Sequence, residues 1–200
     1  RRDLPRARIS VDTRHTAVAR AALDAGADVI NDVSALGDDG MAALAAATGV
    51  PVVLMHMRGA PRDMQTMTRY DDIVGEVAAY LAERAGAARN AGIAGDRILL
   101  DPGLGFAKTA EGNELLLRQL ASLRSVGYPL VVGASRKAFI GRRTRVDDPA
   151  ARVAGSVGAA VLAAREGAAV LRVHDVGPTR QALDVLEAIR AAAPDEGQGR

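Results

Sequence analysis

Six short β-branched runs, separated by Ala-, Leu- and Arg-rich segments of helical spacing, constrain the fold more than any other feature of this sequence. The runs are RISVD (8–12), ADVIND (27–32), VPVVLMH (50–56), RILLD (97–101), PLVVGAS (129–135) and AVLRVHD (169–175). Strands alternating with helices predict a parallel sheet of βα units. The near-continuous apolar runs agree, because strands of such sheets are buried on both faces. Between the first two runs, residues 13–26 predict a helix with Val18, Ala21, Ala22 and Ala25 on one face and Gly26 as its stop. Residues 70–92 predict a longer helix ending at Gly92, and Asp148-Pro149 predicts another start, with Asp as cap and Pro in the first turn.

Each run ends in polar residues: Asp12, Asn31-Asp32, His56, Asp101, Ser135-Arg136-Lys137, then Arg172-His174-Asp175. Chemistry at the C-terminal ends of parallel strands is the mark of the (β/α)₈ barrel. A doubly wound sheet also binds ligands there, but through one or two dominant loops rather than six. The expectation is an α/β protein, a (β/α)₈ TIM barrel of which about six of the eight units are present. Residues 1–192 would form one N-terminally incomplete barrel domain, and the polar tail 193–200 would be disordered.

Composition excludes several function classes. With no Cys there is no disulfide framework and no thiolate metal site. No signal peptide or membrane-length apolar run is present, so a cytoplasmic protein without membrane partners is expected. The net charge is only +2 and aromatics make up 2% of the chain, which argues against a nucleic-acid partner. Of the 26 basic residues only Lys108 and Lys137 are lysines. Where Arg is the default cation, a retained Lys points to a need for a compact point charge, or to chance.

The stretch ILLDPGLGFAKT (98–109) is superficially a phosphate loop. A Walker A loop needs Gly immediately before its Lys so that backbone N–H groups can wrap the phosphates. Ala107 stands there and Pro102 removes a donor, so the phosphate reading fails. Two readings of Asp101 remain. It either caps the following turn, or its carboxylate accepts two parallel N–H bonds from a heterocycle brought close by the glycines. Asp12 suits a helix cap or a ligand, and Asn31 a turn or a planar ring edge. His56, alone between Met55 and Met57, fits a structural histidine or a ring-packing site. Ser135, Arg136 and Lys137 group a hydroxyl and two cations, or form a charged surface loop. Arg172 and His174 share one side of their strand by the period-two rule. An Arg facing the interior needs an anion, and the helix start near Pro178 favours one too. This pair reads as a phosphate or pyrophosphate site.

Taken in order, SVDT, NDVSALG, MHMRGAP, DPGLGFAKT, GASRKAFIG and RVHDV resemble the dihydropteroate synthase family across residues 8–190. The resemblance implies a barrel of folate biosynthesis that condenses 4-aminobenzoate with dihydropterin hydroxymethyl diphosphate, releases pyrophosphate, and is a sulfonamide target. It implies that Asp12, Asn31, Asp101 and Lys137 bind the pterin, with Phe106 near the pocket wall. Ser135 and Arg136 would lie near the aminobenzoate, and Arg172 and His174 on the diphosphate. Asp101, Lys137, Arg172 and His174 would carry the chemistry. The family's Mg²⁺ ligand, an Asn on its first strand, matches nothing here, so no metal ligand is assigned and the 200-residue chain alone is expected to be weakly active or inactive. A non-catalytic pterin-binding paralogue or truncated domain and a pterin-dependent methyltransferase barrel are the alternative readings. The cations of SRK and RVHDV disfavour the methyltransferase. The family is usually dimeric. The Gly155–Gly158 helix could pack on a partner or on the barrel itself.

Overall fold

A computed structural model describes residues 6–59 and 62–192; the expected tail at 193–200 lies outside them. All six runs form strands: β1 (Ser10–Asp12), β2 (Val29–Asp32), β3 (Val52–Met55), β4 (Ile98–Asp101), β5 (Val131–Val132) and β6 (Val170–Leu171). Every pairing is parallel and the spatial order follows the chain order. A single parallel bridge, Leu100 with Leu130, joins the first four strands to the last two. Eight helices connect and follow them: α1 (Thr16–Asp24), α2 (Met41–Thr48), α3 (Ile73–Asn90), α4 (Ala110–Arg118), α5 (Leu120–Leu123), α6 (Ala138–Thr144), α7 (Val153–Arg165) and α8 (Val176–Ala191).

Strand periodicity divides the residues between two faces. Ile30, Val52, Leu54, Ile98, Leu100, Leu130 and Val132 belong to the core, in one cluster with Val77 and Leu81 of α3 and Leu116 and Leu117 of α4. The opposite parity, Ser10 and Asp12, Asn31, Val53, Leu99 and Val131, lines an open concave space of about 790 Å³. Leu54 and Leu100 are fully buried at the centre of the core. Truncating Leu100 to Ala should cost about 2–5 kcal/mol in chemical denaturation, through lost burial and an unfilled cavity.

Two local expectations need correction. Full burial holds for β3 and β5 but not for the outer strands, since Val170 of β6 is 44% exposed. An outer strand has a neighbour on one side only. Helix α1 buries Ala19 instead of the face through Val18, which is 50% exposed. In an Ala-rich segment several faces score alike, and the packing of the next strand chooses among them. The other helix signals agree. Asp72 caps α3 by accepting from Gly75 N–H, Gly92 follows it at φ +93°, and Asp148 accepts from Ala150 N–H ahead of α7.

Candidate active site

The C-terminal ends of the strands enclose a cavity of about 260 Å³. Asp12 (β1), Asn31 (β2), Met55 (β3), Asp101 (β4), Lys137 (before α6) and Arg172 (after β6) all line it, with Phe106 and Gly133. Six of the nine residues singled out from the sequence therefore meet in one place. The array curls enough for Arg172 Nη2 to donate to Asp12 Oδ2 at 2.9 Å, linking the two outer strands.

Asp101 caps the turn that follows it and also borders the cavity. Its Oδ1 accepts from Gly103 N–H at 2.7 Å, and the residue borders the cavity while only 6% exposed. Burial pushes its carboxyl up to about 6, against the opposing pulls of the Gly103 N–H, Lys137, Lys108 and Arg172. Lys137 lies 4.3 Å over the Phe106 ring, a cation–π contact that fixes both side chains. Burial pushes Lys137 down, and Asp101 pulls it back up.

The glycines of this loop are also required by the protein's own packing. A Cβ on Gly103, at φ +66°, would stand 2.0 Å from His56 O; one on Gly105, at φ +83°, would stand 2.9 Å from Lys137 Cδ. They clear the backbone just after β3 and the Lys137 stem, and Gly103 also lines the cavity.

Three of the expected site residues have partners within the chain. Arg172 is not deep: its side chain is 56% exposed and its anion is the protein's own Asp12. Ser135 is buried and its Oγ is engaged by His174, accepting from the backbone N–H at 3.2 Å and meeting Nδ1 at 3.0 Å. Arg136 forms a two-point pair with Asp175, at 3.1 and 2.6 Å. The segments 133–137 and 172–175 thus hold each other. Arg136 also lines a neighbouring cavity of about 530 Å³ with Gln65, Thr68, Asn113 and Arg142, and Lys137 borders both spaces.

Asp12 caps nothing in α1, whose N-cap is His15. His56 is structural: 2% exposed, edge-on to Tyr80 with centroids 4.8 Å apart, and bonded to Lys108. Asp32, at the same strand end as Asn31, shapes the cavity wall without lining it. Its buried carboxylate accepts from Ser34 N–H, Ser34 Oγ–H and Leu36 N–H at 2.6–2.8 Å. That holds Ala35 and Leu36 at φ +51° and +67° and sets Val33 on the cavity wall. Met55 and Gly133 also line it, and strand parity with Val53 and Val131 would have found them. Among the described residues no group of three or more His, Asp or Glu is placed to hold a metal ion. No described helix is long and apolar enough to cross a membrane.

Residues 1–174 match the family model described as pterin binding enzyme. Dihydropteroate synthase of Synechocystis sp. is 45% identical over 188 residues, covering 94% of this chain and 64% of its own length. Two solved structures superpose closely. One is the Thermus thermophilus dihydropteroate synthase in complex with 6HMPPP, with TM-score 0.88 and 47% identity over 92% of this chain and 73% of that one. The other is the Xanthomonas albilineans enzyme in complex with 7,8-dihydropteroate, with TM-score 0.87 and 48% identity over 93% and 68%. The chain thus spans just under two thirds of the curated relative's length. With the six strand ends converging on one cavity and 174 consecutive residues matched, this chain belongs to the pterin-binding enzyme family.

Proposed function

We propose that this chain is the catalytic barrel of a dihydropteroate synthase, its six strands an arc of a (β/α)₈ barrel. The observation that carries the reading is Asp101: a buried carboxylate whose charge the fold disfavours, set in a cavity beside a lysine. A side chain that costs stability when ionised is retained for a ligand. A pterin matches it. The ring's amino and N–H groups donate to Asp101, Lys137 donates to a ring acceptor, and Asn31 offers both a donor and an acceptor in one plane. The larger cavity next door, cationic at Arg136, Lys137 and Arg142, suits the carboxylate of 4-aminobenzoate.

In the reaction the bond between the pterin methylene and the diphosphate oxygen breaks, and its electron pair leaves with pyrophosphate. Arg172, released from its exposed pair with Asp12, and His174 take up that charge. Anionic Asp101 offsets the positive charge on the pterin. The aniline nitrogen then forms the new C–N bond and gives up a proton to solvent. The test is pyrophosphate release from pterin diphosphate and 4-aminobenzoate in magnesium-containing buffer. Release requiring both substrates is expected, slower than from a full-length relative; pterin binding without release would leave a binding protein in place of a synthase.

Pterin binding should also depend on pH. The ligand's donors need the carboxylate, which protonates as the pH falls through about 6. Affinity is therefore full above about pH 7 and drops about tenfold per unit well below 6. Calorimetric titrations with 6-hydroxymethylpterin across that range check it.

A further inference from the structure

Lys108 occupies the place of a phosphate-loop lysine, yet it is only 5% exposed. Its Nζ lies 2.9 Å from His56 Nδ1, 3.0 Å from Gly103 O and 2.9 Å from Phe106 O. An ammonium has three N–H donors and no acceptor; a neutral amine has two donors and a lone pair. Both carbonyls can only accept. The imidazole is pushed down to about 3 by burial, then by Lys108 and Arg58, so it is neutral, and in its Nε2–H tautomer Nδ1 accepts as well. Three acceptors on three donors are the complement of the charged form. No donor is left over for a phosphate.

The three acceptors come from places that matter to the cavity. His56 directly follows β3, while Gly103 and Phe106 are the two arms of the loop that leaves Asp101. Gly103 N–H binds Asp101 Oδ1, and the Phe106 ring carries Lys137. Tyr70 O–H adds a bond to Ala107 O at 3.0 Å. The charges acting on Lys108 are Asp101, which favours its protonation, and Arg58 and Lys137, which oppose it; burial pushes it down to about 7. Those on Asp101 are Lys137, Lys108 and Arg172, all favouring the carboxylate.

We infer that Lys108 is a positioning residue for the ligand cavity, a buried ammonium that ties both arms of the β4–α4 loop to the end of β3 and supplies counter-charge that keeps Asp101 anionic. The inference rests on the pterin reading of that cavity. It explains the retention of a lysine in an arginine-rich chain. The site offers three acceptors around one point, which a compact ammonium fills and a planar guanidinium does not.

The test is Lys108→Met, which keeps the stem and removes charge and donors, titrated with 6-hydroxymethylpterin at a series of pH values. Affinity should fall about tenfold or more. The pH below which binding is lost should rise by about one unit, the scale of one removed neighbouring charge. A tether without electrostatic purpose would weaken binding and leave that pH in place. A folded variant with an unmoved midpoint, or with unchanged affinity, overturns the inference. Should the variant fail to fold, the unmutated chain decides. Labelled with ¹⁵N-lysine, it should give a three-proton Lys108 ammonium protected from exchange at about pH 6.5, assigned with Lys137→Met. A neutral or freely exchanging amine overturns the inference. If the unmutated chain binds no hydroxymethylpterin, the reading of the cavity has failed, and the lysine signal alone judges Lys108.

Discussion

Asp101→Asn is expected to weaken 6-hydroxymethylpterin binding by roughly 1–3 kcal/mol, the scale of a buried hydrogen bond to a charged group. That is about fivefold to about 150-fold in Kd. The substitution is nearly isosteric, and an Asn Oδ1 still accepts from Gly103 N–H, so the loop keeps its local bond. What changes is the edge offered to the ligand. One oxygen becomes an NH₂ group facing ring donors, so a charge-assisted acceptor is replaced by a donor opposed to a donor. The pH response should disappear as well. The unmutated chain loses affinity as the pH falls through about 6 because a carboxyl raised by burial picks up its proton there. Asn has no proton to gain, so the affinity of the variant stays flat over that interval. Calorimetry at about pH 5 and about pH 8 on both proteins separates the two effects. Equal affinity of the two proteins at the higher pH would remove Asp101 from the pterin contact.

The strands were legible because their signal is local: β-branched runs at regular intervals, each followed by a helical segment. The convergence of Asp12, Asn31, Asp101, Lys137 and Arg172 was legible for a related reason. Parallel strands bring all their C-terminal ends to one side, so a polar residue closing each run belongs to one site whatever the distances along the chain. The pairing state of those residues could not be read in that way. Arg172 bridges to Asp12, 160 positions away in the chain, and Arg136 folds onto Asp175. Neither choice has a local signature, because each depends on how far the array curls. The same is true of Lys108. Its sequence context is that of a failed phosphate loop, and its three acceptors become neighbours only once the loop after β4 has folded back against β3. Asp32 was hidden by its neighbour: Asn31 and Asp32 face opposite ways by strand parity, and only Asn31 faces the cavity.

The loop glycines can be separated by their expected effects. Gly103→Ala should destabilise the fold strongly. Its Cβ would lie 2.0 Å from His56 O and 3.1 Å from the carbonyl carbon, and that obstacle is the backbone of a paired strand end. His56 N–H is itself bonded to Asp101 O at 2.9 Å, so β3 cannot retreat without opening its ladder to β4. The loop must move instead, which strains the bonds from Gly103 N–H to Asp101 and from Lys108 to Gly103 O. A non-glycine residue in the left-handed region costs about 1–2 kcal/mol. Overpacking against fixed atoms adds roughly 1–3 kcal/mol. A total of roughly 2–5 kcal/mol lowers Tm by on the order of 10 °C in a domain of this size. Gly105→Ala carries a similar backbone cost, but the atom in its way is Lys137 Cδ, on a flexible stem. That variant should melt closer to the unmutated chain and lose pterin affinity through a displaced Lys137. Thermal melts and pterin titrations of the pair give the comparison. If Gly103→Ala melts no lower than Gly105→Ala, the close approach of the loop to β3 is not a constraint on the fold.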